Sequence, residues 1–153
     1  MNAEFKIVPE AVQIAAPENK EAGLDILARV FARAYSLDAD EILESLRERE
    51  QLGSTGFGRG IAIPHARVSG LKRPMAACLR LGQPIDFGSA DGRPVDLIFG
   101  LISPADAGAA HLQALAAISR LLRDEAMHER LSSAPSEEAL RGLLTNIADR
   151  DAA

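Results

Sequence analysis

Cysteine is nearly absent: Cys78 is the only one in 153 residues. A single thiol excludes an internal disulfide and any cysteine-built zinc site, and it fits a reducing compartment. No apolar run approaches the ~18 residues that a membrane span requires. The first residues, MNAEFKIVPEAVQIAAPENK, carry early acids and no cleavable apolar core, so no export signal is expected. These absences place the chain in the cytoplasm without membrane insertion. Basic charge is also in the minority. Seventeen Lys and Arg face 22 Asp and Glu, a net charge of −5. A nucleic-acid binder shows a basic footprint, so no nucleic-acid partner is expected. Internal repeats and low-complexity segments are absent as well.

What is present is ordinary globular material, with 47% apolar and 25% charged residues. A chain of this length buries enough surface to fold as one domain without staples. Its charge is unevenly spread. Residues 47–80 hold Arg47, Arg49, Arg59, Arg67, Lys72, Arg73 and Arg80 against Glu48 and Glu50, a net +5 that leaves −10 on the remainder. Such a segment points to an anionic ligand or an acidic partner surface. It reads equally as a solvated stretch in a chain that uses Arg far more than Lys.

Val12 and Ile14 alternate with polar or small neighbours, which predicts a short strand. Over 20–35, Leu24, Leu27, Ala28, Val30, Phe31 and Ala34 share one helical face. Asp38 with Glu41 resembles a capping box for a second helix carrying Ile42, Leu43 and Leu46 and ending before Gly53. GSTGFGRG at 53–60 cannot hold a regular helix. Ile61-Ala62-Ile63 predicts a short strand halted by Pro64. MAACLRL at 75–81 and VDLIFGLI at 95–102 have strand length, and the second is apolar enough for a central strand buried on both faces. Three helical patterns follow Pro104. One places Leu112, Leu115, Ala116, Ser119 and Leu122 together. A short one is anchored by Met127 and Leu131. The last is capped by Ser136 and carries Leu140, Leu143, Leu144 and Ile147. Residues 149–153 read as a frayed end. Helices, strands, then helices imply a sheet covered on both faces.

The glycine-rich run is the most unusual local feature. Glycines let backbone N–H groups encircle an anion, and Ser54 and Thr55 add hydroxyls. No Gly-Lys-Ser/Thr follows, so it is not a Walker loop. It precedes a strand and not a helix, so it is no dinucleotide fingerprint, and it lacks a serine nucleophile elbow. A long turn with several positive φ angles explains it as well. His65, directly after Ile63-Pro64, is placed at a strand terminus on the sheet rim, where functional side chains often sit. A neutral imidazole attacks phosphorus near pH 7. A hydrogen-bonded structural histidine is the plain alternative. His111 falls in the first turn of an apolar helix, and His128 reads as surface. Three histidines without cysteine form no metal signature.

The ordered string Arg49-Glu50-Gln51-Leu52-Gly53-Ser54-Thr55-Gly56-Phe57-Gly58-Arg59-Gly60-Ile61-Ala62-Ile63-Pro64-His65 resembles the enzyme IIA domain of the mannitol/fructose class of the bacterial phosphotransferase system. It is most similar to the stand-alone nitrogen-regulatory branch. The likeness continues through Gln83-Pro84-Ile85-Asp86-Phe87, residues 91–99 and His111-Leu112-Gln113-Ala114-Leu115. It covers about 10–147 and implies a single domain over 1–153. In this family the Pro-His histidine is phosphorylated, which maps to His65. A second histidine and the leading arginine line the site, which map to His111 and Arg49. The resemblance implies a three-layer α/β/α fold around a mixed sheet of about five strands.

The residue types suit that chemistry. Phosphoryl transfer is mostly positioning plus charge stabilisation. Arg49 offers a bidentate fork, His111 a hydrogen-bond donor, and Ser54, Thr55 and Gly56 a phosphate cradle. No metal, Mg²⁺, nucleotide or other cofactor is then expected. The sequence leaves open which His65 nitrogen is modified. It departs from the family pattern at Arg59, usually Asn, and at Ala66-Arg67, often Gly-Lys. Arg59 and Arg67 are therefore candidates for partner docking. The chain carries no IIB or membrane-spanning IIC module, which favours a soluble relay. The expected function is a phosphocarrier that takes its phosphoryl group from an HPr- or NPr-type phosphohistidine protein and regulates target proteins by its phosphorylation state. The alternatives are a sugar-system IIA subunit that passes phosphate to a separate IIB, a binding module that is never phosphorylated, and, last, a nucleotide-binding enzyme. No oligomeric state is assigned.

Overall fold

The computed structural model describes residues 4–152, with side chains described to 144. After a single 3-10 turn at Pro9–Ala11 come β1 (Val12–Ala15), α1 (Lys20–Tyr35) and α2 (Ala39–Gln51). The strands β2 (Gly56–Gly58), β3 (Ile61–Ala62), β4 (His65–Val68), β5 (Met75–Ile85) and β6 (Val95–Pro104) follow. The helices α3 (Ala109–Arg123), α4 (Glu125–Ser133) and α5 (Glu137–Ala152) close the order.

Local chemistry sets the helix ends. Asn19 accepts from the Ala22 N–H at the start of α1, and Asp38 accepts from the Asp40 and Glu41 N–H groups at the start of α2. The expected capping box is only half formed. The Glu41 carboxylate turns away and accepts from the Ser69 N–H and hydroxyl, at 3.3 and 2.6 Å. Ser136 caps α5 through the Ala139 N–H. That helix runs to Ala152, past Asp149. Ile147 lies outside the described side chains.

The sheet is mixed and six-stranded, in the order β1-β5-β6-β3-β2, with β4 also paired to β6. β6 is its axis, antiparallel to β5 and parallel to both β3 and β4. The strand expected to stop at Pro64 resumes at His65, so β3 and β4 are one strand broken by a residue that lacks an N–H. That break, together with the pairing of Gly56–Gly58 against β3, takes the sheet from the expected five strands or so to six.

Alternation along β6 builds the three layers. Ile98 and Ile102 pack with Leu24, Leu27, Phe31, Ile42 and Leu46 of α1 and α2. Leu97, Phe99 and Leu101 pack on the other face with Ile118, Leu122, Leu131 and Leu140 of α3, α4 and α5. Gly100 faces α1, and a Cβ there would lie 2.8 Å from Leu27 Cδ2. The missing side chain therefore sets how closely α1 approaches the sheet. The stripe expected for α3 is corrected. His111, Ala114, Ile118 and Leu122 are buried, while Leu112 is 64% exposed.

Candidate functional site

His65 opens β4 opposite Leu101 of β6. Its Nδ1 lies 2.8 Å from the Ile63 carbonyl oxygen. A carbonyl only accepts, so the proton of the neutral ring sits on Nδ1 and the lone pair on Nε2. Arg49, in the last turn of α2, donates its Nε–H to that Nε2 at 3.2 Å and an Nη1–H to the Gly53 carbonyl at 2.8 Å. Burial, above all, holds the His65 ring below its ordinary pKa. The Ile63 carbonyl opposes this, and Arg49 and Arg67 add to it.

His111, in the first turn of α3, brings its ring centroid to 5.6 Å from that of His65. Its Nδ1 is 2.7 Å from the Ser103 hydroxyl, and both residues are buried. Burial, followed by Arg67 and His65, lowers its pKa to about 4, so it is neutral at pH 7. Arg49, His65, Arg67 and His111 line an open basin of about 440 Å³. Leu52, 85% exposed, and Leu112, 64% exposed, stand at its edge as the two large exposed apolar side chains among the described residues. Arg67 is tied to the Ala107 carbonyl at 2.8 Å.

The other candidates are placed differently. Thr55 gives both its N–H and its hydroxyl to the carboxylate of Glu50, at 2.7 and 2.5 Å. Ser54 donates its hydroxyl to the Phe87 carbonyl at 2.6 Å and accepts the Gly56 N–H at 3.0 Å. The donors read as a phosphate cradle are thus spent inside the protein, where they fix the loop. Arg59 has φ +58° and turns its guanidinium to the Arg123 carbonyl and Glu125, at 3.2 and 3.5 Å. It borders a separate depression with Phe57, Asp91 and Arg123, away from His65. The +5 segment is therefore not one patch. Arg47 pairs with Glu21, Arg80 holds the Ala134 carbonyl, and only Arg49 and Arg67 line the basin. His128 is half-buried at 4.0 Å from Asp96, deeper than a surface residue.

Sequence reading assigned no role to Glu50, Lys20 or Ser103. The Glu50 carboxylate, whose side chain is 6% exposed, also meets Lys20 Nζ at 2.6 Å. Glu50 stood inside the motif, and Ser103 was the one polar residue ending an apolar strand. Glu50 meets Thr55 close by in sequence and Lys20 on another helix, and Ser103 meets His111 across the turn between β6 and α3. Among the described residues no group of three or more His, Cys, Asp or Glu is gathered for a metal, and no helix is long and apolar enough to cross a membrane.

The family model described as phosphoenolpyruvate-dependent sugar phosphotransferase system, EIIA 2, matches residues 7–147. A nitrogen regulatory protein of Pseudomonas aeruginosa is 45% identical over 130 residues, covering 84% of each chain. One from Bradyrhizobium diazoefficiens is 41% identical over 139 residues, covering 90% of this chain and 91% of that one. The crystal structure of nitrogen regulatory protein IIA-Ntr from Neisseria meningitidis superposes with a TM-score of 0.81 at 32% identity. It covers 90% of this chain and 95% of that one.

Proposed function

The chain belongs to the EIIA 2 family of the phosphoenolpyruvate-dependent sugar phosphotransferase system, and from that membership we propose that it is a cytoplasmic, single-domain phosphocarrier of the nitrogen-regulatory branch with His65 as its phosphoryl acceptor. The observation that carries this reading is the fixed tautomer of His65. The Ile63 carbonyl holds the proton on Nδ1, and Nε2 keeps its lone pair beside a guanidinium in an open basin.

The donor is an HPr- or NPr-type protein carrying an N-phosphorylated histidine. As its P–N bond breaks, the bonding electrons return to the donor imidazole, and the Nε2 lone pair of His65 forms the new P–N bond. The proton on Nδ1 stays in place, and the Ile63 carbonyl stabilises the positive character that the ring acquires. Arg49 shifts its Nε–H from Nε2 to a phosphoryl oxygen, and its fork geometry lets a second N–H reach another. Charge stabilisation of this kind supplies most of the catalysis in phosphoryl transfer. Leu52 and Leu112 offer the carrier an apolar rim around the charged centre.

The phosphoryl group adds about −1.5 to −2 charges to a basin whose Arg49, Arg67 and Glu48 carry a net +1. A target protein that reads this surface meets opposite potentials in the two states, which is how phosphorylation selects regulatory partners. The test is incubation with phosphoenolpyruvate and the upstream carriers, with the His65→Ala chain alongside. One acid-labile phosphoryl group, attached at Nε2 and lost in the variant, is expected. Label that persists in His65→Ala, or that survives acid as a phosphoester does, sinks the proposal.

A further inference from the structure

We propose that Ser103 is a positioning residue that sets the tautomer of His111, so that His111 presents an Nε2–H to the phosphoryl group while His65 presents an Nε2 lone pair. The proposal rests on the phosphocarrier reading for its purpose, but its geometry stands apart from it.

Ser103 occupies the α3-facing row of β6, after Leu97, Phe99 and Leu101. It is fully buried, and His111 is 4% exposed. Among the described residues the Ser103 hydroxyl has one partner, His111 Nδ1, at 2.7 Å. A neutral imidazole has one N–H, and a hydroxyl can donate or accept. If Nδ1 carried the proton, it would donate to Ser103, and the hydroxyl hydrogen would be left buried without an acceptor. If the hydroxyl donates to Nδ1, every buried polar group is satisfied. The ring proton then sits on Nε2, where solvent or a phosphoryl oxygen in the basin accepts it. The low pKa of the ring keeps it neutral, so the choice between nitrogens is a real one at pH 7.

The two histidines thus receive opposite instructions from two kinds of partner. A carbonyl, which only accepts, fixes the proton of His65 on Nδ1. A buried hydroxyl with no other acceptor puts the proton of His111 on Nε2. His65 becomes the nucleophile and His111 the donor, although the rings stand 5.6 Å apart in one basin. The same arrangement explains why the second ring does not compete for the phosphoryl group: its basin-facing nitrogen has no lone pair to offer.

Histidine-selective ¹⁵N labelling of the whole chain, read by long-range ¹H–¹⁵N correlation at pH 7.5, tests this directly. The wild-type protein is expected to show a protonated Nε2 and a lone-pair Nδ1 for His111, and the reverse for His65. In Ser103→Ala the His111 shifts should move toward an average of both tautomers, and its titration should move to higher pH. Ser103→Thr should restore the wild-type pattern. Transfer from the phosphorylated carrier should slow about 2- to 10-fold in Ser103→Ala, in step with the competent fraction, with carrier affinity unchanged. A wild-type His111 protonated on Nδ1, or a tautomer indifferent to Ser103→Ala, overturns the proposal. Failure of the wild-type chain to accept phosphate overturns the phosphocarrier reading instead, and leaves the tautomer result standing. Should Ser103→Ala not fold, the wild-type spectrum alone still decides.

Discussion

Removing the Glu50 carboxylate should loosen the glycine-rich loop and weaken the whole domain. Arg49 and Glu50 are consecutive on α2, so their side chains diverge by about 100°. Arg49 reaches His65, and Glu50 reaches back to the loop and to α1. Its carboxylate collects the Thr55 N–H, the Thr55 hydroxyl and Lys20 Nζ, all within 2.7 Å. Thr55 in turn accepts the Ile63 N–H at 2.9 Å, and the Ile63 carbonyl fixes His65. A chain of hydrogen bonds therefore runs from Glu50 to His65. Truncating one partner of a buried, hydrogen-bonded ion pair costs about 3–5 kcal/mol. Lys20 keeps 30% of its side-chain exposure and can turn toward water, which favours the lower figure. Glu50→Ala should then cost about 3 kcal/mol, or about 6–12 °C in Tm for a domain of this size. Glu50→Gln keeps the shape and one acceptor, and should cost about 1–2 kcal/mol. The assay is urea unfolding of both variants, with Thr55→Val to close a double-mutant cycle. Phosphoryl transfer should slow in Glu50→Ala even where the protein is fully folded. A loss below about 1 kcal/mol for Glu50→Ala, or no coupling between Glu50 and Thr55, would refute the reasoning.

Arg49→Ala should slow phosphoryl transfer by about 10²–10³-fold in single-turnover measurements. Arg49→Lys should recover little of this, because a point charge lacks the fork. Stability should fall with acidity through the histidines. Both rings have depressed pKa values, so the unfolded chain takes up protons that the native one refuses as pH drops below about 6.5. The stabilisation is fully present above about 6.5 and is lost as pH falls toward about 4, the folded-state value of His111. His111→Gln should flatten that part of a denaturation profile taken from pH 7 to pH 4, and an unchanged slope would contradict it. Gly56→Ala sets a Cβ 2.2 Å from Ser89 Oγ and 3.0 Å from its Cα. It should cost about 1–3 kcal/mol in urea, and Ser89→Gly should relieve only part of it because the backbone contact remains.

Local signals were legible and long-range partners were not. The spacing over 20–35 matches α1 residue for residue, since Asn19 and the apolar stripe act within a few positions. The central strand was readable because both faces of β6 are covered, so its side chains are apolar in either direction. In α3 two stripes compete, and the larger residues pointed to the wrong one. The stripe that packs on the sheet starts with His111 and continues through Ala114, small enough to lie close, while Leu112 faces the basin rim. A polar residue on the inner face is what hides such a stripe from periodicity. The hydroxyls of Ser54 and Thr55 were recognised as donors, but their acceptors were misjudged. The Phe87 carbonyl lies 33 residues from Ser54, and no window over the loop contains it. The acceptor of Arg59 is as distant, its guanidinium bonding a carbonyl 64 residues away.

Pro64 links the part of the site that was legible to the part that was not. In an unbroken strand beside β6, each carbonyl and N–H facing the neighbour is taken up by the ladder. Proline supplies no N–H, so the ladder lapses between Ala62 and His65. Pairing with β6 resumes through the Pro64 carbonyl, which accepts the Leu101 N–H at 2.9 Å. Ile63 faces the other way, its N–H donating to the Thr55 carbonyl at 2.9 Å, and its carbonyl bonds the imidazole two residues on. The Pro-His pair is therefore more than a marker of a strand end. Ile63, on the side away from β6, supplies the acceptor that orients the histidine, and β4 anchors the histidine to the central strand. Replacing Pro64 by alanine returns an N–H on the β6 side and leaves the Ile63 carbonyl with its imidazole partner. The His65 ring is then expected to keep its single tautomer, which the same ¹⁵N spectra report and which a mixed His65 pattern would contradict.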